Sequence, residues 1–449
     1  MKSQIVELNR EFLECVKSDT NAVAKDFVTA KSYIKNSSAI FTRGNLLFLV
    51  APKFFDKVAY EMIKSKIAVL DSILDKVISQ YLEDIEFRKF FGFCDILQDL
   101  ILLQSGYTRK LPIARIDIFL NEETLDFKFC EFNADGASAM NEDRELGNAW
   151  AQSSTWLKFA KSKTIKRFEL FDSWVQEFDS LYSEYLQTNK LKRPKKPTIA
   201  IVDFLDIGTK SEFEVFRQTF KKHGFECIIE DITTLKFNKF LYSANGIKID
   251  AVYRRAVTSE CMQKLDSIKD FLAAVKSNVI CLIGHFRTQI IHDKNLFRIL
   301  RLPYTKRLLS DVQNAFVEQH IPKTLRLIRG EFDYDEIIAD KDKWLIKPAD
   351  RYGSQGVATG GDYSIKEWQK LIDNYIDSDF VLQEYCPPFK TLNMYFDDQG
   401  NQVSNQYNNM TGIYLYNGKV AGLYSRQMLG RVTTKQDEGR VTVSVLVES

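Results

Sequence analysis

The chain has 449 residues, and its 62 Lys and Arg residues nearly balance its 60 Asp and Glu residues, which leaves a formal net charge of +2 at pH 7. This balance argues against a protein whose main task is to neutralise nucleic-acid phosphates, because that task needs a concentrated excess of basic charge. Hydrophobic residues make up 45% and charged residues 27% of the sequence, which is typical of a globular protein and excludes a disordered chain. No apolar run approaches the roughly 20 residues of a membrane helix, and the N-terminus has acidic residues where a signal peptide would be apolar. We therefore expect a soluble, cytoplasmic protein of roughly two or three domains that binds neither nucleic acid nor membrane.

Neither cysteine nor histidine follows the spacing of a transition-metal site. The seven cysteines are scattered without a Cys-x-x-Cys pair, so reduced and mostly buried thiols are expected. The four histidines lack the His-x-x-x-His spacing of a metalloenzyme helix, and we expect them to be solvated or hydrogen-bonded loop residues.

Helical and extended patterns alternate in the first two thirds of the chain. Apolar residues repeat at intervals of three and four over 70–81 and 171–185, which predicts two amphipathic helices packed against a core. The basic, proline-flanked stretch 192–197 follows and is interpreted as a linker, with a phosphate-binding patch as the alternative.

A small parallel α/β unit is predicted after this linker. The segment TIAIVDF resembles a buried strand, 211–222 a helix that ends at Gly224, and FECIIED a second strand. IDAVYRRA and VICLIG add two further strands, so a parallel sheet is expected between about 195 and 300. Because the first turn has no G-x-G-x-x-G sequence, a dinucleotide cofactor is not indicated.

The most informative segment, 111–138, predicts a hairpin with a polar face. Two strand-like runs, ARIDIFL and FKFCEFN, flank the acidic turn NEETLD. If the turn centres on Thr124, Asp117 faces Glu131 and Arg115 faces Asn133, and alternation places all four side chains on one side. Facing carboxylates repel unless a cation lies between them, and oxygen donors suit Mg²⁺ together with substrate phosphates. The alternative is a solvent-facing hairpin held by an Arg-Asp salt bridge.

A glycine-rich loop follows a lysine at the end of a later strand. The segment WLIKPADRYGSQGVATGG places Lys347 before Gly353, Ser354 and Gly356. Glycine lets backbone N–H groups approach phosphate oxygens, and a nearby lysine adds positive charge. The segment is not a Walker A motif, so a glycine-rich hairpin loop without a ligand remains the alternative. Further strands are predicted at FVLQEY and in the hairpin TGIYLYNGKVAGLYSR, whose Asn417-Gly418 pair suits a type I′ turn.

Two pairs of segments resemble the ATP-grasp ligases: ARID with CEFNAD, and LIKPADRYGSQGV with VLQEY. The resemblance is to the circularly permuted, glutathionylspermidine synthase-like form of these enzymes, and only to its synthetase part. The permutation is indicated because the acidic residues precede Lys347 instead of following it. The resemblance implies a mixed α+β and α/β fold with N-terminal helices. It also implies three parts: helices and the metal-binding hairpin (1–190), an inserted pre-ATP-grasp-like α/β domain (191–300) and the nucleotide-clamping half (301–449).

The resemblance also implies roles for individual residues. Asp117, Glu131 and Asn133 would hold Mg²⁺, and Arg115 would contact the transferred phosphate. Ser138 would lie near the acyl phosphate, and Arg426 would close over the site.

The remaining residues carried over would bind ATP. Lys347 would hold its phosphates under a flexible lid, 353–356, that contains Gly353, Ser354 and Gly356. Gln383 and Glu384 would lie at the adenine and ribose end. Lys294 matches a lysine near the nucleotide, with an exposed helical lysine as the alternative.

These residues predict an ATP- and Mg²⁺-dependent carboxylate-amine ligase that forms an amide through an acyl phosphate. Its partners would be a small-molecule or peptide carboxylate and an amine. An ATP-grasp small-molecule kinase and a non-catalytic nucleotide-binding protein are the alternatives. Arg254 and Arg255 are candidates to clamp a substrate carboxylate, and a structural salt-bridge role is equally open. Acidic residues that would bind a polyamine are not matched, so glutathione and spermidine are not indicated as substrates.

Overall fold

A computed structural model of the chain describes residues 3–41, 44–206, 210–351, 353, 355–431 and 439–448. Helices occur throughout these residues and are α1 (Ile5–Ser18), α2 (Thr20–Asn36), α3 (Lys57–Glu83), α4 (Ile85–Arg88), α5 (Asp95–Leu102), α6 (Met140–Trp150), α7 (Ser154–Ala160), α8 (Asp172–Thr188), α9 (Lys210–Lys222), α10 (Thr258–Gln263), α11 (Lys269–Lys276), α12 (Gln289–His292), α13 (Leu296–Ile299), α14 (Pro303–Leu308), α15 (Asp311–His320), α16 (Tyr334–Ala339) and α17 (Ile365–Tyr375). None of the helices within the described ranges has both the length and the hydrophobicity to span a lipid bilayer.

Strands are short, apart from the long hairpin near the C-terminus. They are β1 (Ile40–Phe41), β2 (Gly44–Asn45), β3 (Lys53–Asp56), β4 (Ile113–Leu120), β5 (Phe127–Asn133), β6 (Thr164–Arg167), β7 (Thr198–Asp203), β8 (Glu226–Asp231), β9 (Lys236–Asn238), β10 (Phe240–Tyr242), β11 (Ala251–Arg254), β12 (Cys281–Ile283), β13 (Thr324–Arg326), β14 (Trp344–Pro348), β15 (Ala358–Thr359), β16 (Phe380–Glu384), β17 (Lys390–Phe396), β18 (Gln402–Tyr416), β19 (Lys419–Met428), β20 (Gly439–Thr442) and β21 (Ser444–Glu448).

Both predicted amphipathic helices are present. The stripe over 70–81 lies in α3, which begins after Asp56, and the Asp56 carboxylate accepts a hydrogen bond from the Ala59 amide. The stripe over 171–185 lies in α8, where its aromatic residues are buried. The predicted linker 192–197 has no regular secondary structure. The apolar stripes therefore do face the core, as their periodicity predicts.

The parallel α/β unit is also confirmed. Its strands follow the order β12-β11-β7-β8, and each neighbouring pair runs parallel. Successive residues of β7 face different cores, because Ile199 and Ile201 pack in one cluster while Ala200 and Val202 pack in the other. Burial on both faces explains why this strand reads as a continuous apolar run.

The central sheet joins strands from opposite ends of the sequence. Its order is β20-β19-β18-β4-β5, with β17 also paired to β18, and all of its pairs are antiparallel. Asn417 and Gly418 connect β18 to β19 with φ angles of 45° and 85°, as a type I′ turn requires. Because β18 pairs with β4, the polar hairpin predicted early in the chain forms one end of a sheet built mainly from the last sixty or so residues, with β5 as its edge strand.

Four smaller sheets occur in the rest of the described residues, and two of them are the two-stranded antiparallel pairs β1–β2 and β9–β10. The antiparallel sheet β13-β16-β14-β15 carries Lys347 and has its own apolar cluster, which includes Trp344, Trp368 and Leu382. In the fourth of these sheets, β21 pairs parallel to β3 and antiparallel to β6, which ties the C-terminal strand to the N-terminal half.

The predicted environment of the histidines is partly wrong. His292 and His320 are buried at the ends of α12 and α15, where His320 stacks on Phe127 with ring centroids 4.1 Å apart. An aromatic neighbour from a distant strand makes this burial favourable, and sequence spacing does not show it. The seven cysteines are free thiols, and four of them are buried, as expected.

Candidate functional site

The β4–β5 hairpin has the predicted register away from its turn, whereas next to the turn the pairing is shifted by one residue, so that Leu120 pairs with Phe127. Arg115 pairs with Asn133, and Asp117 pairs with Glu131, directly before a bulge that follows Asp117. The four side chains meet on one face: the Asn133 amide donates to Asp117 Oδ2 at 3.0 Å and to Glu131 Oε1 at 3.3 Å. The alternation of the two strands therefore does bring the predicted polar group together.

Arg115 and Asp117 form a buried, bidentate ion pair. Arg115 Nε and Nη2 lie 2.8 and 2.9 Å from the two Asp117 oxygens, and the Asp117 side chain is 1% exposed. Burial raises the pKa of Asp117, and the charge of Arg115 opposes this shift. The Arg-Asp salt bridge offered as the alternative thus exists, but its burial excludes a merely solvent-facing hairpin.

Glu131 lies among three cations. Burial by itself would raise the pKa of Glu131, but the charges of Lys294, Lys347 and Arg115 outweigh it and hold the pKa below its ordinary value. Lys347 Nζ donates to the Cys130 carbonyl at 3.1 Å. The lysine strand of one sheet and the acidic hairpin of another are therefore in direct contact.

Lys294 is buried, which excludes the exposed helical lysine considered as its alternative. Its Nζ donates to the Arg351 carbonyl at 2.6 Å, and its backbone amide donates to the Ala349 carbonyl at 3.0 Å. Both carbonyls belong to the segment that follows Lys347. Lys294 therefore holds the start of the glycine-rich loop against the hairpin.

The glycine-rich loop begins directly after this contact. Gly353 and Gly356 have φ angles of 66° and 76°, which are left-handed conformations that glycine adopts without strain. Among the described residues, no atom lies within 4 Å of a Cβ built on Gly353, whereas one built on Gly356 would lie 3.0 Å from Pro348 Cγ. Ser354, also predicted to bind ATP, lies outside the described residues.

Gln383 and Glu384 lie on β16, beside the lysine strand, but their side chains are engaged locally. Gln383 Nε2 donates to Thr324 Oγ1 at 2.9 Å, and Glu384 Oε2 accepts from the Lys323 amide at 3.1 Å. The structure therefore places these residues in the same sheet as Lys347 without bringing their side chains to Glu131.

Arg426 reaches the hairpin through Tyr424, its neighbour on the same face of β19. Arg426 Nη2 donates to the Tyr424 hydroxyl at 3.0 Å, and the Arg115 guanidinium lies 5.6 Å from the Tyr424 ring centroid. The Tyr424 hydroxyl donates to Glu142 Oε2 at 2.7 Å. Tyr424 and Glu142 were not identified from the sequence, although the i, i+2 spacing of Tyr424 and Arg426 on a strand is a usable signal.

Ser138 takes part through its backbone. Its carbonyl accepts hydrogen bonds from Arg115 Nη1 at 2.8 Å and from the Tyr414 hydroxyl at 2.7 Å. The α6 helix begins two residues later, and Glu212 accepts from the amides of Ala139 and Met140 at 3.0 and 2.9 Å. The N-terminus of α6 is thus satisfied by a carboxylate from α9.

Arg254 and Arg255 have internal partners. Arg254 Nη2 lies 2.7 Å from Asp135 Oδ1, and Arg255 Nη2 lies 3.0 Å from Glu212 Oε1. All four side chains are buried to at least 96%. This geometry favours the structural salt-bridge role over a clamp for a substrate carboxylate.

The donor set suits Mg²⁺ only in part. Within the described ranges, no three His, Cys, Asp or Glu side chains form a group that could hold a metal. Glu131 and Asn133 fit an ion that takes one or two carboxylates and completes its shell with water and substrate phosphates. Asp117 would join them only after a rearrangement, because both of its oxygens contact Arg115.

Comparisons with known proteins bear on the fold. No family profile matches the chain, and no curated protein sequence does. Its structure is similar to that of a glutathione synthetase-like effector from Globodera pallida in the apo form, with a TM-score of 0.62, 11% identity and coverage of 94% of this chain and 96% of that one. Weaker likenesses are to D-alanyl-alanine synthetase A from Vibrio cholerae O1 (TM-score 0.25, 13% identity, 49% and 68% coverage) and to a putative gamma-glutamylcysteine synthetase from Methylobacillus flagellatus (0.30, 9%, 81% and 83%). The first likeness shows that the two proteins share a mixed α/β fold over nearly the whole of both chains.

Proposed function

We propose that the chain is an ATP- and Mg²⁺-dependent carboxylate-amine ligase of the circularly permuted ATP-grasp type, which forms an amide through an acyl phosphate. The observation that carries this proposal is the position of Glu131 beside Lys294, Lys347 and Arg115. Cations gathered around one ionised carboxylate are suited to a triphosphate and its metal. The cations attract the phosphate oxygens, and the carboxylate attracts the metal ion.

In this mechanism the two lysines hold the phosphates of ATP. Arg115, oriented by Asp117 and the Ser138 carbonyl, lies where it can contact the phosphoryl group that moves to the substrate carboxylate. Mg²⁺, when bound by Glu131 and Asn133, would offset the charge that develops on that group. An amine then displaces phosphate from the acyl phosphate, and no covalent intermediate with the protein is needed.

Gly353, Arg426 and the order of the segments along the chain support the same assignment. Gly353 is exposed and in a left-handed conformation, as suits a loop that folds over a nucleotide. Arg426, 28% exposed, lies on β19, which is on the opposite side of β4 from β5 and its contact with Lys347, and it would close over the acyl group. In chain order the acidic hairpin precedes Lys347, which is the basis for proposing the permuted arrangement.

The test is a phosphate-release screen in which the purified chain, ATP and Mg²⁺ meet pooled amino acids and short peptides as acids, and pooled amino acids and small amines as acceptors. A new amide product with ADP and phosphate, identified by mass spectrometry, is the expected result. A stable phosphorylated product would replace the ligase by the kinase. ATP binding without turnover across the panel would leave a nucleotide-binding protein.

A further inference from the structure

Glu142 is a buried carboxylate at the edge of the proposed site. It lies in the first turn of α6, and its side chain is 11% exposed. Its Oε2 accepts the Tyr424 hydroxyl at 2.7 Å and lies 3.8 Å from Arg426 Nη2. Tyr424 links Glu142 to Arg115, because the Arg115 guanidinium lies 5.6 Å from the centroid of the Tyr424 ring.

Helix capping does not explain this carboxylate. The first amides of α6 donate to Glu212, so the helix does not need Glu142 to satisfy them. The Glu142 carboxylate has one hydroxyl donor, and the Arg426 guanidinium lies beyond hydrogen-bonding distance. The free-energy cost of burying the carboxylate charge is therefore only partly offset. Such a group is costly in a purely structural role, which suggests a chemical one.

The surroundings of Glu142 leave it close to balance between its two protonation states. Burial raises the pKa of Glu142 to about 7, although Arg426 and the Tyr424 hydrogen bond oppose the rise. The charged and titratable groups that face it are Arg426 and Tyr424 on β19, Tyr414 on β18, Arg115 on β4, Glu212 on α9 and its neighbour Asp143 on α6. A base of this kind works near neutral pH.

We propose that Glu142 accepts the proton that the acceptor amine must lose before it attacks the acyl phosphate. This inference rests on the proposed ligase function and adds to it a named residue and a substrate class. The acceptor would be a primary amine that arrives as an ammonium ion, since such an ion is attracted to the Glu142 carboxylate.

The step balances as follows. The ammonium ion transfers one proton to the Glu142 carboxylate, and the nitrogen lone pair then attacks the carbonyl carbon of the acyl phosphate. The carbon–nitrogen bond forms and the carbon–oxygen bond to phosphate breaks, so that phosphate leaves with the bonding electron pair. The nitrogen loses its second proton to the departing phosphate, and Glu142 later releases its own proton to water.

The test compares two acceptors in Glu142→Gln. Hydroxylamine is already unprotonated at neutral pH and needs no base, whereas the pooled primary amines and amino acids of the screen do need one. With pooled acids, ATP and Mg²⁺, we expect the ratio of amide to hydroxamate to fall by about 10²- to 10⁴-fold, as is typical for loss of a general base. Glu145→Gln is the matched control, because Glu145 is buried in the same helix but bonds Tyr33 and Ser38.

The outcomes separate the two proposals. If wild-type protein releases no phosphate with any pool, the ligase function fails and the role of Glu142 fails with it. If wild-type protein is active and Glu142→Gln keeps the wild-type ratio, or loses amide and hydroxamate equally, only the role of Glu142 is overturned.

A second measurement does not depend on turnover. In protein labelled with carbon-13 at glutamate carboxyls, the resonance that is absent from Glu142→Gln should titrate near neutral pH. A midpoint close to the ordinary glutamate value of about 4.3 would contradict the proposal.

Discussion

A single methyl group at Gly412 should separate Arg115 from Asp117. Gly412 lies on β18 directly opposite Asp117, and a Cβ built there would lie 2.9 Å from both Arg115 Cδ and Asp117 Oδ1. Carbon atoms pack at about 3.5–4.0 Å, so in Gly412→Ala the ion pair must move by roughly 0.6–1 Å. Arg115 and Asp117 are joined by two hydrogen bonds of 2.8 and 2.9 Å, and such a shift does not leave both of them intact.

The expected effects on stability and activity differ in size. Overpacking lowers the free energy of unfolding by about 1–3 kcal/mol. Alanine restricts the unfolded chain more than glycine does, which raises the free energy of unfolding by about 0.4–1 kcal/mol, so a net loss of about 1–2 kcal/mol is expected. If Arg115 contacts the transferred phosphoryl group as proposed, a displacement near 1 Å should lower ATP turnover by about 10²-fold. Urea unfolding measures the first quantity, and phosphate release in the pooled screen measures the second.

Gly422→Ala is the control for overpacking as such. Its Cβ would lie 2.6 Å from Phe168 Cβ and 2.9 Å from Leu170 Cδ2, away from Arg115. This variant should lose comparable stability and keep the larger part of its turnover. If Gly412→Ala turns over ATP as fast as Gly422→Ala does, the Arg115–Asp117 pair does not serve catalysis and the mechanism is wrong.

Four other changes test separate parts of the structure. Glu131→Ala should abolish Mg²⁺-dependent ATP turnover, and it should also lower the urea midpoint because Lys294, Lys347 and Arg115 lose the carboxylate among them; near wild-type turnover would remove Glu131 as a metal ligand. Lys347→Ala should reduce the rise in Tm that ATP causes, because fewer ATP molecules bind at a given concentration, and an unchanged rise would exclude contact with ATP. Arg254→Met leaves the Asp135 carboxylate buried without its partner and should cost about 3–5 kcal/mol in urea unfolding; a cost below about 1 kcal/mol would mean that the pair is not structural. Burial raises the pKa of Asp293 to about 8, so the folded state binds an extra proton and wild-type stability should fall as the pH rises from about 4 to 8. Asp293→Asn removes that fall, so its stability relative to wild type should be higher at pH 8 than at pH 4, and a constant difference would contradict the shift.

Local patterns predicted the hairpins and the α/β unit correctly. Residue alternation predicted that Asp117 pairs with Glu131, but the turn is centred between Glu123 and Thr124, and the bulge after Asp117 restores the predicted pairs. The Asn417-Gly418 pair was enough to place the second hairpin, where turn geometry fixes the register.

Long-range partners could not be predicted from the same patterns. Facing carboxylates at 117 and 131 indicated an intervening cation, but alternation does not distinguish a metal from Arg115, which occupies both Asp117 oxygens. Glu142 meets Tyr424 only because β19 and α6 pack together across the fold. The partners of Arg254 and Arg255 likewise come from distant segments, so their role was open until the contacts were known.

The pairing of β18 with β4 has a consequence for how the protein reaches its folded state. The edge of β4 that binds β18 stays without its partner until roughly three hundred more residues have been synthesised. During that interval an apolar strand edge beside Ile116 and Ile118 is open to pairing with other chains. Slow maturation, and a yield that depends on chaperones and on growth temperature, follow from a sheet in which β4 waits for a partner strand from the far end of the chain.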